Sequence, residues 1–239
     1  IFWSDSDASG EGRIEVGNGA VFNTANGSTA SNLSGGGNII LAGGADDGSN
    51  SGVAIDGIPD GFAQSASTAG ITLSTDAAGE LTFYSGGGDV VLRGYSSNNA
   101  GNDTEKVGIQ QYGGLLINAG TGRIQMMGEG VNFYGINLNQ IAPDNVKKLE
   151  LISAANSGDA IYIKGVSGNQ LGLVFNFNSD KELKSTAGGN ITLEGVGGGS
   201  NAGIFLQNID VLATAGTITL DGGVNGIRNL NTGNHYGYR

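Results

Sequence analysis

A short apolar segment with alternating polarity recurs along the chain, and glycine-rich stretches separate its copies. Copies occur at residues 38–41, 70–73, 80–83, 89–92, 114–117, 122–126, 148–152, 160–163, 190–193, 203–206 and 216–220. Each has the length of a strand of about 4–6 residues. In Ile71-Thr72-Leu73 the aliphatic side chains point to one side and the threonine to the other, because side chains alternate along a strand. The copies therefore predict strands with one buried and one solvent-facing side.

Glycine is the most informative part of the composition. The 239 residues include 46 glycines and only 2 prolines. Collagen would need glycine at every third position with abundant proline, and a disordered chain would lack the aliphatic runs seen here. The glycines therefore serve sharp turns between strands. Helical periodicity is confined to residues 141–148, which predict one short turn, so we expect an all-β chain.

Strand spacing and connector type distinguish a solenoid from a sandwich or a barrel. Where the pattern is densest, three strands would make a coil of about 20–28 residues, within the range of solenoid repeats. Two-residue hairpin turns are scarce, with Asn26-Gly27 and Asn225-Gly226 as the candidates. The sequence favours a right-handed parallel β-helix with Gly, Asn and Ser at its corners.

We expect residues 1–239 to form a single solenoid segment. Polar interruptions at residues 43–61, 95–105 and 195–201 predict loops that protrude from a corner. The chain starts without Met and shows no terminal cap, so we expect an internal repeat module of a longer chain or fibre. Its partners would then be neighbouring repeats or identical subunits placed end to end.

Charge and cysteine content exclude several classes of function. The chain has 22 acidic and 11 basic residues, a formal net charge of −11, and no visible basic cluster, which disfavours nucleic acid and anionic membranes as partners. No apolar stretch approaches the roughly 20 residues that span a bilayer. Cysteine is absent, so disulfides and thiolate metal sites cannot stabilise the fold.

Two phrases near the start are similar to a known family. The run IFWSDSDASGEGRI at residues 1–14 resembles a phrase of the filamentous haemagglutinin-like exoproteins exported by two-partner secretion, and residues 41–48 with 56–62 resemble a second phrase. The copies GGNITL (188–193) and AGTITL (215–220) are similar to the coil consensus of that family. The resemblance implies an extracellular β-helical shaft on a bacterial surface that serves adhesion or aggregation, with surface glycans as candidate ligands.

Calcium is the candidate ligand that the acidic residues suggest. Asp5, Asp7 and Ser9 alternate as in a calcium loop, but Val16 stands where an EF-hand has its bidentate glutamate. A looser site could use the aspartates of the first loop, whose run 56–60 resembles the calcium-bound aspartates of thrombospondin-type repeats. The candidate ligands are Asp5, Asp7, Asp46, Asp47, Asp56 and Asp60. The competing interpretation, which the sequence favours, is that these carboxylates cap turns.

Catalysis has little support in the sequence. A Ser-His-Asp triad would have to include His235, the one histidine, and we favour surface packing for it. Polysaccharide lyases also use parallel β-helices, but the basic residues that would bind an acidic sugar are scattered along the chain. Trp3, Phe22, Phe62, Tyr84 and Tyr95 could stack on sugars, although packing within coils is commoner. We therefore expect a non-enzymatic structural or adhesive module. The alternative is a carbohydrate-binding or carbohydrate-cleaving β-helix, whose polysaccharide would lie in a groove lined by the loop at residues 43–61.

Overall fold

The computed structural model describes residues 1–6, 11–25, 35–49, 56–74, 79–97, 106–139, 149–176 and 180–230. The first eleven strands are β1 (Phe2–Ser4), β2 (Ile14–Val16), β3 (Val21–Asn23), β4 (Ile39–Gly43), β5 (Ala63–Ser65), β6 (Ile71–Leu73), β7 (Glu80–Tyr84), β8 (Val90–Ser96), β9 (Ile109–Gln111), β10 (Gly114–Asn118) and β11 (Ile124–Gly130). The next are β12 (Ile136–Asn139), β13 (Leu149–Ser153), β14 (Asp159–Ser167), β15 (Leu173–Asn176), β16 (Lys181–Ser185), β17 (Asn190–Val196), β18 (Ile204–Leu206), β19 (Ile209–Ala213), β20 (Ile218–Asp221) and β21 (Ile227–Asn229).

These strands form three sheets, which the chain visits in the same order in each coil. Sheet A has the order β1-β4-β8-β11-β14-β17-β20, and β5 also pairs with β8. Sheet B has the order β2-β6-β9-β12-β15-β18-β21, and sheet C the order β3-β7-β10-β13-β16-β19. Neighbouring strands of each sheet are parallel and come from successive coils. The predicted architecture is confirmed as an all-β fold, a right-handed parallel β-helix.

Most coils are longer than the range of about 20–28 residues that the densest part of the sequence pattern predicted. In sheet A, Leu92 pairs with Met126, Met126 with Ile163, Ile163 with Leu193 and Leu193 with Leu220, so successive coils take 34, 37, 30 and 27 residues. The last of these coils, of 27 residues, lies within that range. Some corners carry much longer connectors, such as the one between Ser96, the last residue of β8, and Ile109, the first of β9.

Aliphatic columns fill the space between the sheets. Each inward position of a strand is paired with an inward position of the next coil, so equivalent side chains stack along the axis. The two inward columns of sheet A contain Ile39, Val90, Ile124, Ile161 and Ile191, and Leu41, Leu92, Met126, Ile163 and Leu193, all of which are buried. Thr72, Thr192 and Thr219 point outward as predicted, between inward aliphatic neighbours. Burying these columns stabilises the folded state by about 25 cal/mol for each Å² of apolar surface that is removed from water.

Facing glycines allow the corner between sheets A and B to close. A Cβ atom on Gly128 would lie 2.4 Å from the carbonyl oxygen of Gly135, and one on Gly165 would lie 2.2 Å from that of Gly172. Both distances are far shorter than a van der Waals contact. Each coil needs a residue without a side chain at this corner because the backbones approach so closely there.

Buried serines stabilise the corner between sheets C and A. The hydroxyl of Ser153 donates to the carbonyl oxygen of Gly122 at 2.7 Å, and that of Ser185 donates to Gly189 at 2.6 Å. Both serines are fully buried. These bonds satisfy carbonyl groups that a corner removes from the ladder of strand hydrogen bonds.

The long polar interruptions lie at corners or within sheet A. The first separates β4 from β5, which pair with the two halves of β8, so residues 44–62 form an insertion within one layer of sheet A. The second predicted loop, 95–105, begins too early, because Tyr95 and Ser96 continue β8. For the same reason Gly195 and Val196, predicted in a loop, belong to β17. Backbone pairing with the neighbouring coil extends these strands beyond their apolar segments.

Two local predictions concern single turns. Asn225-Gly226, a candidate hairpin turn, instead joins a 3-10 helix (Gly223–Asn225) to β21, and β20 and β21 lie in different sheets. Residues 26–27 and 141–148 lie outside the described residues.

Candidate functional site: the outer face of sheet A

The outward side chains of sheet A form rows that run along the axis of the solenoid. One row contains Ile40, Val91, Gln125, Tyr162 and Thr192, and the next contains Arg93, Met127, Lys164 and Glu194. Members of a row are separated in sequence by about one coil. The parallel register therefore brings together charged and apolar groups that are far apart in the chain.

A groove of about 570 Å³ follows these rows across four successive layers of the sheet. It is lined by Asn38, Ile40, Ile58, Asp89, Val91, Arg93, Arg123, Ile124, Gln125, Met127, Asp159 and Tyr162. Ile58 comes from the insertion 44–62, which therefore contributes to the wall of the groove. A groove of this size with a few polar groups among apolar ones is the usual form of a small-molecule or oligomer site.

Arg93 connects the insertion to the sheet. Its side chain is only 3% exposed, and Nη1 donates to the carbonyl oxygen of Pro59 at 2.9 Å, while Nη2 donates to Oε1 of Gln125 at 3.2 Å. The Nε atom is buried without a hydrogen-bond partner. Burial lowers the pKa of the guanidinium, and the nearby carboxylate of Asp60 opposes that shift. Arg93 thus holds the insertion against the face that it borders.

A second polar cluster lies at the far end of the groove. The hydroxyl of Tyr162 donates to the carboxylate of Glu194 at 3.0 Å, and Lys164 lies 3.6 Å from the same carboxylate. Burial, followed by the hydrogen bond and the negative charge of Glu194, raises the pKa of the Tyr162 phenol. The phenol therefore remains protonated at neutral pH and acts as a donor.

Side chains at or just before the start of the strands form a polar row at the rim of the groove. Oδ1 of Asn38 accepts the backbone N–H of Asp89 at 2.9 Å, and Oδ1 of Asp89 accepts that of Arg123 at 2.8 Å. Asp159 accepts the hydroxyl of Thr192 at 2.7 Å. Within the described part of the chain the guanidinium of Arg123, which is exposed, has no hydrogen bond or ion pair. The row therefore offers both donors and acceptors to a ligand.

The basic residues are less scattered than the sequence suggested. Arg93, Arg123 and Lys164 all lie on the outer face of sheet A, within or beside the groove. Stacking of coils, which composition does not reveal, brings them together. They are accompanied by Asp89, Asp159 and Glu194, so this face carries both signs of charge.

The candidate calcium ligands of the first loop bond mainly to backbone N–H groups. Asp46 accepts from Asp56 at 3.2 Å and from Gly57 at 2.7 Å, Asp47 accepts from Ser49 at 2.9 Å, and Asp56 accepts from Ile58 at 2.9 Å. Asp60 is fully buried and accepts from Gly48. Asp47 and Asp56 therefore cap turns by accepting the N–H group two residues on, whereas Asp46 and Asp60 accept N–H groups 10 to 12 residues away in the sequence. Among the described residues, no three His, Cys, Asp or Glu side chains are grouped so that they could hold a metal ion.

The other two candidate calcium ligands are Asp5 and Asp7. Asp5 lies beside Glu129, Phe62, Gln64 and Tyr95 in a second depression, of about 390 Å³, on the other side of the insertion. Asp7 lies outside the described residues. The calcium hypothesis stays a prediction.

Trp3 and Phe22 are partly buried in the first coil. The Trp3 indole donates to the carbonyl oxygen of Gly44 at 2.8 Å. Phe22 stacks on Phe83 with ring centroids 4.9 Å apart. Phe62 and Tyr95 line the second depression. His235 lies outside the described residues.

Lys181 is an ionisable residue that the sequence did not single out. It occupies an inward position of sheet C, paired with Leu149 and Ile209, and is 2% exposed. Its Nζ donates to the carbonyl oxygen of Gln207 at 3.2 Å, and burial lowers its pKa to about 8. It lies in sheet C, not on the groove-bearing face of sheet A.

No protein-family model matches this chain, and no curated protein or solved structure is significantly similar to it. In the described residues, no helix is long and apolar enough to cross a membrane.

Proposed function

We propose that this chain is a structural and adhesive module of an extracellular bacterial surface fibre, in which it forms part of an elongated shaft. The observation that carries the proposal is the apolar character of both ends of the described coil stack. Ile1 (61% exposed), Phe2 and Val21 (63%) lie in the first coil, and Val224, Ile227 and Leu230 in the last. Exposed apolar side chains on unpaired strands are a template for further pairing.

The same feature explains how the shaft would continue. The first coil presents one edge of each sheet and the last coil presents the opposite edge, so the two ends are different surfaces. Contact between them is heterologous and adds units in one direction without closing a ring. The next coils can belong to the same polypeptide or to an identical subunit. The resemblance of residues 1–14 to haemagglutinin-like exoproteins also supports a surface location.

Sedimentation velocity over a range of concentrations tests this contact. Ile218 and Leu220 are inward residues of β20 that remain partly exposed, while Thr219 between them points outward. The unmodified chain should form end-to-end oligomers, and the double variant Ile218→Lys/Leu220→Lys should remain monomeric because it charges the last coil. The control Thr219→Lys should assemble normally.

A mixing experiment separates a blocked end from a misfolded chain. The double variant retains an intact first coil, so it should add to the unmodified chain and limit oligomer length. A variant that had lost its fold would leave the oligomers unchanged. Monomers at every concentration of the unmodified chain would contradict the proposal.

The groove on sheet A favours a second candidate function, carbohydrate binding or cleavage. It is bordered by the insertion 44–62 and combines charged, amide and apolar side chains. The two functions are compatible, because one uses the ends of the solenoid and the other a side face.

A further inference from the structure

We infer that the groove on sheet A binds an uncharged, hydroxyl-rich oligosaccharide that lies along the solenoid axis. This inference rests on the second candidate function, carbohydrate binding, and names the ligand class and its direction. It is independent of assembly through the ends.

The direction follows from the register of the strands. Asn38, Asp89, Arg123 and Asp159 come from four successive layers and form a row parallel to the axis. Parallel strands are about 4.8 Å apart, so the row spans roughly 14 Å. An extended hexose chain advances by a similar step per sugar, so equivalent hydroxyl groups can meet equivalent layers of the sheet.

The ligand class follows from the balance of charge. Of the side chains that line the groove, Arg93 and Arg123 are cationic and Asp89 and Asp159 are anionic. Lys164 and Glu194, next to the groove, form an ion pair. The site therefore has no net charge to attract an acidic sugar, and the whole chain, at −11, repels one at long range.

The donors and acceptors of the groove that are not used within the protein are suited to the hydroxyl groups of a sugar. Within the described residues, Asp89 and Asp159 each use one carboxylate oxygen to accept an internal hydrogen bond, so a second oxygen remains as an acceptor. In the same described part of the chain, Gln125 uses its amide oxygen to accept from Arg93, which leaves its NH₂ group as a donor, and Arg123 supplies a further donor. Sugar hydroxyls both donate and accept, so they can satisfy all of these groups together.

An apolar row beside the polar one completes the complementarity. Ile40, Val91 and the ring of Tyr162 share the row that adjoins the rim, with Ile58 from the insertion on the wall. Such a surface accepts the C–H face of a sugar ring while the rim accepts its hydroxyl edge.

Isothermal titration calorimetry with defined hexasaccharides tests the inference. The neutral probes are cellohexaose, mannohexaose, xylohexaose and maltohexaose, and the acidic probe is hexagalacturonate. At least one neutral probe should bind and hexagalacturonate should not. Arg123→Ala and Asp159→Asn should each weaken the neutral probe by roughly tenfold, because each removes a charged hydrogen-bonding partner.

The controls lie on the outer face of sheet C. Glu182→Gln and Lys184→Gln alter an exposed ion pair of 3.7 Å away from the groove and should leave the affinity unchanged. Tighter binding of hexagalacturonate than of every neutral probe would overturn the ligand class but retain carbohydrate binding. Binding of none of the probes, or equal loss in the groove and control variants, would overturn both the ligand class and the second candidate function.

Discussion

Arg93 donates a hydrogen bond of 2.9 Å from Nη1 to the carbonyl oxygen of Pro59, which ties an interior strand of sheet A to the insertion 44–62. Because Pro59 and Arg93 are 34 residues apart, this bond joins two coils rather than two ends of one turn. The same guanidinium lines the groove. The insertion is therefore fixed to the face that carries the candidate site.

Replacing Arg93 with methionine should destabilise the protein and release the insertion. The change removes the bond to Pro59 and leaves the buried Asp60 carboxylate without its cationic neighbour, at a cost of about 2–3 kcal/mol in the free energy of unfolding. Urea denaturation measures the loss, and limited proteolysis of residues 44–62 measures the release. Arg13→Met is the control, since Arg13 and Glu15 form an exposed pair. Equal effects of the two changes would refute the role of Arg93.

Gly165→Ala should weaken the fold strongly through a steric clash. The new Cβ would lie 2.2 Å from the carbonyl oxygen of Gly172, so the corner between sheets A and B must open, at about 3 kcal/mol. Gly17→Ala is the control, because a Cβ there meets no atom within 4 Å. Thermal unfolding compares the two variants. Similar melting temperatures would mean that the facing glycines are not required.

Lys181→Leu should stabilise the protein at neutral pH. Burying the charged ammonium disfavours the folded state, so an apolar side chain of similar size should add about 1–2 kcal/mol. The matched control is Lys184→Leu in the same strand, where the lysine is partly exposed beside Glu182. An effect of the same size in both variants would show that burial of Lys181 is not the cause.

The effect of Lys181 on the free energy of unfolding should also depend on pH, in a direction that its pKa shift determines. Its pKa is about 8 in the folded protein and 10.5 when unperturbed, so the unfolded chain binds more protons between these values. The free energy of unfolding should therefore rise with pH through that window in the unmodified protein. Lys181→Leu should lack this rise, and its advantage should shrink above pH 8. Denaturant titrations from pH 7 to 10 measure both slopes.

Ser153→Ala tests whether the buried serines stabilise the corner between sheets C and A. The hydroxyl donates to Gly122 and accepts from the backbone N–H of Ala155, both in a buried position, so its loss should cost about 1–2 kcal/mol. Ser157→Ala changes an exposed serine of the following turn and should be nearly neutral. A neutral Ser153→Ala would imply that another group satisfies the carbonyl of Gly122.

Strands with two inward aliphatic residues were predictable from the sequence. Strands that place a polar residue at an inward position were not. Ile191-Thr192-Leu193 shows its alternation directly, and β17 contains it. In contrast, β16 reads Lys-Glu-Leu-Lys-Ser, with a buried lysine at an inward position, and β9 places Gln111 inward. These strands form because neighbouring coils on both sides supply hydrogen-bond partners. Pairing between coils is information that a local pattern does not contain.

The groove was only partly predictable for a related reason. Its contact with the insertion was expected, since the interruption at residues 43–61 suggested a border for a carbohydrate site. The residues that line it could not be assembled from the sequence, because the register between coils depends on connector lengths that vary from coil to coil. Arg93 and Arg123 are 30 positions apart in sequence but line the same groove.

Electron microscopy of the concentrated chain tests most directly whether it is a unit of a shaft. The end-to-end contact predicts unbranched filaments with a repeat of about 4.8 Å along the axis, the spacing of parallel strands. The Ile218→Lys/Leu220→Lys variant should form none. Compact single particles at every concentration, with a folded circular dichroism spectrum, would contradict the shaft proposal.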